Sequence, residues 1–218
     1  MLKGKKLSIL GDSLSTYRGY SNDQTANATT IGNPCFYFQR RFPLEKTYWQ
    51  LLMARLGLTL CVNNSWSGGN LSGQDNPDSG VNRAKQLSRD DGTKPDFIIV
   101  FMGMNDLGRN VPVPTFSVDY MKTLFTIQEQ HPDAIVCCVG MPDREPYFKE
   151  RAILFNQEIE KAVAAAGKNF FFANLFHSRL NNQDYYNNTL DGLHFDEDGM
   201  RMLADFLEEA ILNFYQNR

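Results

Sequence analysis

The chain has 218 residues, 42% of them hydrophobic, and 22 Lys and Arg against 25 Asp and Glu give a formal net charge of −3. That length suits one well-cored domain over residues 1–218 and is short for two. The charge balance leaves no general basic field to hold nucleic acid, and no window approaches the ~18 apolar residues of a membrane span. The basic start, MLKGKKLSIL, resembles a leader, but its apolar run stops at Gly11. A cytoplasmic chain is therefore expected, secreted or periplasmic only if a leader has been removed. Cys35, Cys61, Cys137 and Cys138 show no C-x-x-C spacing, and two of them lie side by side in an apolar run, so core thiols are expected, with no disulfide framework and no zinc.

In chain order, KLSIL (6–10) reads as a first strand, broken by Gly11-Asp12-Ser13-Leu14. Residues 18–46 have no clear period but carry Tyr20, Phe36, Tyr37, Phe38 and Phe42, which favours an ordered cap or substrate loop. TYWQLLMARLG (47–57) has helical spacing and a closing glycine, and LTLCV (58–62) is a second strand running into NNSWSGGN. DFIIVF (96–101) is a third strand, followed by GMND. SVDYMKTLFTIQEQH (117–131) is an amphipathic helix with Ser117 as candidate N-cap, and AIVCCVG (134–140) is a fourth strand. A helix over 148–167, a fifth strand NFFFANL (169–175), the turn DGLH (191–194) and a helix over 196–215 complete the chain. The strands are continuous apolar runs, as strands covered on both faces should be. Their alternation with helices predicts an α/β/α sandwich on a parallel sheet, which binds ligands beyond the carboxyl ends of its strands.

The residues just after each strand are therefore the candidates. Nucleophilic serine catalysis needs a hydroxyl, an imidazole to take its proton, a carboxylate to orient that imidazole, and donors aimed at the developing oxyanion. Ser13 supplies the hydroxyl and its own backbone N–H, Gly68 a second N–H unobstructed by a side chain, with Gly69 the adjacent alternative, and Asn105 an amide. His194 is the base, with Asp191 three residues earlier. Of the other histidines, His131 ends a helix, where a cation suits the dipole, and His177 lacks a neighbouring carboxylate. Each block alone could be a turn or cap, but together they would be four coincidences at one sheet rim. No serine satisfies the G-x-S-x-G elbow, since the run around Ser13 is G-x-S-x-S. Asp12 is assigned to holding the turn through backbone N–H groups.

The blocks GDSL (11–14), Asn64 to Gly68, GMND (103–106) and DGLH (191–194) resemble, in order, those of the SGNH/GDSL hydrolase family of serine esterases and lipases. The resemblance implies a flavodoxin-like three-layer α/β/α sandwich with a mostly parallel five-stranded sheet. It implies Ser13, Asp191 and His194 as catalytic residues and Ser13, Gly68 and Asn105 as the oxyanion hole, with no metal or organic cofactor.

Candidate substrate contacts are Tyr17, Trp66 and Met104, although an aromatic in the position of Trp66 more often packs than binds. The stretches GYSNDQTANATT, FYFQ and NNQDYYNN mix aromatics with amides and hydroxyls. That mixture suits a sugar ring better than a lipid. Removal of an acetyl or other short acyl group from a saccharide ester is the expected reaction. A short-chain or lipid esterase, a thioesterase, an acyltransferase on the same residues and, last, a non-catalytic binding module are the alternatives.

Overall fold

The computed structural model describes residues 2–21, 35–144 and 148–217. Five strands form one all-parallel sheet: β1 (Lys6–Gly11), β2 (Thr59–Ser65), β3 (Phe97–Phe101), β4 (Ile135–Val139) and β5 (Phe170–Ala173), in the order β2-β1-β3-β4-β5. This is the flavodoxin-like doubly wound order. β3 and β4 are buried along their whole length, which is why FIIVF and IVCCV read as unbroken apolar runs.

The helices are α1 (Tyr48–Leu56), α2 (Gly80–Arg83), α3 (Met104–Gly108), α4 (Val113–Gln130), α5 (Lys149–Ala166), α6 (Asn182–Asn187) and α7 (Glu197–Gln216). α1 packs against α7, while α4 packs on both α2 and α5. α7 opens as its acids suggest, with the Asp196 side chain accepting from Gly199 N at 2.9 Å. All four cysteines are buried, and none forms a disulfide among the described residues. Among the described residues no helix is long and apolar enough to cross a membrane.

Two boundaries differ from the sequence expectation. α4 begins at Val113, so Ser117 lies inside it rather than at its cap and donates instead to Glu158 Oε2 on α5 at 2.6 Å. Pro114 sits in the first turn, where a missing N–H costs no helical bond. β2 runs on through Asn63-Asn64-Ser65 because these polar side chains are buried and satisfied. Asn63 Nδ2 donates to Ser15 C=O at 2.9 Å, Ser65 Oγ to Asn63 Oδ1 at 2.5 Å, and Asn64 Nδ2 to Gln86 C=O at 3.1 Å.

Candidate active site

β1 ends where only glycine fits: a Cβ on Gly11 would stand 2.5 Å from Ser65 Oγ and 2.7 Å from Ser15 Cβ. The chain then tightens into a 3-10 turn, Ser13–Ser15, capped by Asp12, whose Oδ1 accepts from Leu14 N at 3.0 Å. That turn sets Ser13 at the sheet's carboxyl edge with 7% of its surface exposed. Its Oγ lies 2.8 Å from His194 Nε2, and His194 Nδ1 lies 2.8 Å from Asp191 Oδ2. The other carboxylate oxygen of Asp191 accepts from His194 N at 2.8 Å and Leu193 N at 3.1 Å, which fixes the DGLH turn. Both ring bonds are satisfied by a neutral imidazole that donates from Nδ1 and accepts at Nε2.

Burial lowers the His194 pKa below the ordinary imidazole value; Asp191 pulls it back up, and Arg41 and Arg144 lower it further. Burial opposes ionisation of Asp191, yet the N–H bonds from His194 hold its pKa below the usual carboxylate value. A second ring covers the base: Phe36 stacks on the imidazole with centroids 3.3 Å apart and planes 10° from parallel. The Arg41 guanidinium lies over the Phe36 ring at 3.8 Å. Phe36 belongs to the described end of the expected cap; residues 22–34 lie outside the described residues.

The glycine block distinguishes its two glycines. Gly69 is buried, and its N–H donates to Trp66 C=O at 3.0 Å. Gly68 is half-exposed in the left-handed region, φ +70°, so its N–H is the block's available donor. Its carbonyl accepts from Arg109 Nη1 at 2.6 Å, and the same nitrogen bonds Asn70 Oδ1. The Asn105 amide donates to Gly69 C=O at 3.1 Å and to Asp12 Oδ2 at 3.3 Å. Next to it, the buried carboxylate of Asp106 accepts from Leu71 N at 2.7 Å and Ser72 N at 2.9 Å, pinning the loop after the glycine block. A cleft of about 200 Å³ opens between Ser13, Leu14, Met104, Asn105 and Leu193, with Arg109 and Arg144 also on its wall.

Of the candidate substrate contacts, Met104 lines this cleft. Trp66 is half-buried and does not. Tyr17 is buried, its hydroxyl 2.8 Å from Phe42 C=O and 2.9 Å from Gln39 Oε1 and sharing its one proton between them, so it braces the 35–42 segment from within. His177 lines a different groove, about 880 Å³ between β5 and α7. His131 is not the helix-end cation its position suggests. It is buried with neither ring nitrogen bonded among the described residues, and burial, helped by Lys94, lowers its pKa. Phe36, Arg83, Arg109 and Arg144 carry no motif, and only contacts between distant loops bring them to the site.

A hydroxyl, imidazole and carboxylate in one bonded run, beside two candidate donors on glycine and asparagine, can perform acyl transfer through the serine. A search of curated proteins found no significant match. Solved structures share the fold. A Bacteroides ovatus protein described as a GDSL-like lipase superposes with a TM-score of 0.73 at 21% identity, over 97% of this chain and 99% of that one. A Clostridium thermocellum family two carbohydrate esterase, solved in complex with cellohexaose, gives 0.68 at 17% identity, over 98% of this chain and 65% of that one. A Corynascus thermopiles carbohydrate esterase family 2 enzyme with a carbohydrate-binding domain gives 0.67 at 18%, over 99% and 68%. The profile of the GDSL-like Lipase/Acylhydrolase family matches residues 9–202, a span that runs from β1 into α7 and holds every block, and the chain belongs to that family.

Proposed function

We propose that the protein is a serine ester hydrolase that works through an acyl-enzyme and removes acetyl or another short acyl group from a carbohydrate. The observation that carries this reading is the bonded run from Ser13 Oγ through His194 to Asp191, 2.8 Å at each step. His194 takes the Ser13 proton as Oγ attacks the ester carbonyl. The oxyanion accepts from the N–H groups of Ser13 and Gly68 and from the Asn105 amide. Asp191 stabilises the imidazolium, which then protonates the leaving alcohol, and water activated by the same imidazole releases the acid. A depressed His194 pKa serves this cycle, because the ring stays neutral and able to accept a proton as pH falls through the usual histidine value.

The small cleft supports a short acyl group, and the saccharide is supported by the mix of aromatic and amide residues in the sequence stretches FYFQ and NNQDYYNN and by carbohydrate esterases among the proteins of similar fold. The test is labelling with an active-site serine phosphonate, read as intact mass, followed by turnover of acetylated oligosaccharides and of aryl esters of rising chain length. One adduct on the wild type, none on Ser13→Ala or His194→Ala, and acetyl release from sugar are expected. No adduct on the folded wild type overturns the hydrolase reading, and a preference for acyl chains beyond about six carbons overturns the sugar reading.

A further inference from the structure

We propose that the alcohol part of the substrate carries an anionic group, a carboxylate or a phosphate on the sugar, and that Arg144 and Arg109 receive it. The proposal rests on the serine esterase reading and names the class of ester that the site takes.

Two guanidiniums line a cleft of only about 200 Å³ beside Ser13. Arg144 Nη2 donates to Gly192 C=O at 2.9 Å, and its guanidinium carbon sits 5.4 Å from the Phe148 ring centre, 5.2 Å from Tyr185 and 5.9 Å from Tyr186. Three rings and one carbonyl hold this side chain in place, so little rotamer freedom is left to lose on binding. Arg109 is exposed, and from the other block its Nη1 is bonded to Gly68 C=O and Asn70. All of these partners are neutral. Among the described residues neither guanidinium forms an ion pair, and Nη1 of Arg144 and Nη2 of Arg109 have no partner.

Among the described residues no carboxylate pairs directly with either guanidinium. Asp191 is bonded to His194, and Asp12 is buried and committed to Leu14 N and Asn105. Arg41, over the Phe36 ring that stacks on His194, adds a third positive charge near the imidazole. In a chain of net charge −3, two guanidiniums without a carboxylate partner thus stand beside the place where an ester must sit. A neutral acetylated sugar gives these groups nothing to match, whereas a sugar carboxylate or phosphate matches the guanidinium fork. A purely structural role for Arg144, steadying the Asp191–His194 turn through Gly192, would act alike on every ester.

Acetyl release should be measured on an O-acetylated hexuronic acid, the matching O-acetylated hexose and its 6-phosphate, with aryl acetate and aryl hemisuccinate beside them. For the wild type, kcat/KM for at least one anionic sugar should exceed that for the neutral sugar by tenfold or more, and the ratio should shrink as salt rises from 50 to 500 mM. Which anion gains tells carboxylate from phosphate. Arg144→Gln should cut the ratio by about tenfold to a hundredfold, the worth of one charge-assisted bond, and Arg144→Lys should keep more of it. Arg109→Gln should cut it in the same direction.

A wild-type ratio near one overturns the proposal without reference to any variant. So does a ratio untouched in labelled, folded Arg144→Gln, which assigns Arg144 to the turn, and so does a preference for the hemisuccinate, which puts the charge on the acyl side. Turnover of aryl acetate with no anion preference defeats this proposal alone. No turnover and no phosphonate adduct defeat the esterase reading beneath it.

Discussion

At the scale of single residues, Asn105 is the side chain whose role depends most on a small rearrangement. Its amide hydrogens point to Gly69 C=O at 3.1 Å and Asp12 Oδ2 at 3.3 Å. The second bond is long, and an oxyanion forming on Ser13 competes well for that hydrogen. Asn105→Ala should therefore lose about 10²–10³ in kcat, the size of one oxyanion donor. Asn105→Asp should lose at least as much, because it places a second carboxylate against both Asp12 and the oxyanion. Steady-state hydrolysis of an aryl acetate checks this, with phosphonate labelling as the control for a folded site. Alanine within threefold of wild type would remove Asn105 from the oxyanion hole. The place of Asn105 on the cleft wall could be read from the sequence because GMND follows an unmistakable strand. That of Phe36 could not be, because its stack on His194 joins residues 158 positions apart through a loop without periodicity. Tyr17 was misleading for a related reason: proximity to Ser13 in sequence says nothing about which way a ring turns, and here it turns inward.

Elements meet at the site through one side chain that no motif marks. Arg83, at the end of the four-residue α2, is buried and donates to Asn64 C=O at 2.5 Å, Gly11 C=O at 3.1 Å and Asp78 C=O at 2.8 Å. It ties the carboxyl ends of β1 and β2 together directly behind the serine turn and the glycine block. Burial pushes its pKa down to about 10, with Asp12 and Asp78 opposing the shift. It therefore remains charged at neutral pH. Arg83→Met keeps most of the volume but removes the guanidinium donors to Asn64 C=O and the part-buried Asp78 C=O, and one of two donors to Gly11 C=O, which also accepts from Trp66 N at 3.2 Å. A loss of about 2–4 kcal/mol is expected, from unsatisfied groups costing about 1–3 kcal/mol each and partial relaxation. Urea unfolding measures it, and a change under ~1 kcal/mol would show that water replaces the guanidinium without cost. The four long helices and five strands could be read from period and length. The short α2, α3 and α6 could not, since four to six residues hold too few turns for a 3.6-residue pattern. The polar end of β2 was equally hidden, because its asparagines are strand residues only by virtue of partners on other elements.

For the molecule as a whole, the price of gathering chemistry at one sheet edge is a set of carboxyls withdrawn from water. Asp12 is 1% exposed, and burial pushes its pKa from 3.8 up to about 7; Asp106 favours the neutral form in the same way, while Leu14 N–H and Arg83 oppose the shift at Asp12. A raised acid pKa means that between about pH 4 and 7 the folded chain holds a proton the unfolded chain has released. By linkage, this group's contribution to stability is fully present below pH 4, falls as pH rises to about 7, and is constant above. The limiting slope is on the order of 1.4 kcal/mol per pH unit. His194 and His131, both lowered, work the other way below the usual histidine value, and Asp191, lowered, acts only below the usual carboxylate value. A raw stability curve mixes these contributions, so the informative quantity is the difference between two proteins. Asp12→Asn keeps an acceptor for Leu14 N–H and cannot ionise. Its stability minus that of the wild type should climb from pH 4 to pH 7 and then level off, as read by urea titrations at half-unit steps. A flat difference across that window would mean that Asp12 stays ionised behind Ser13, held by Asn105 and Arg83 more firmly than burial opposes it.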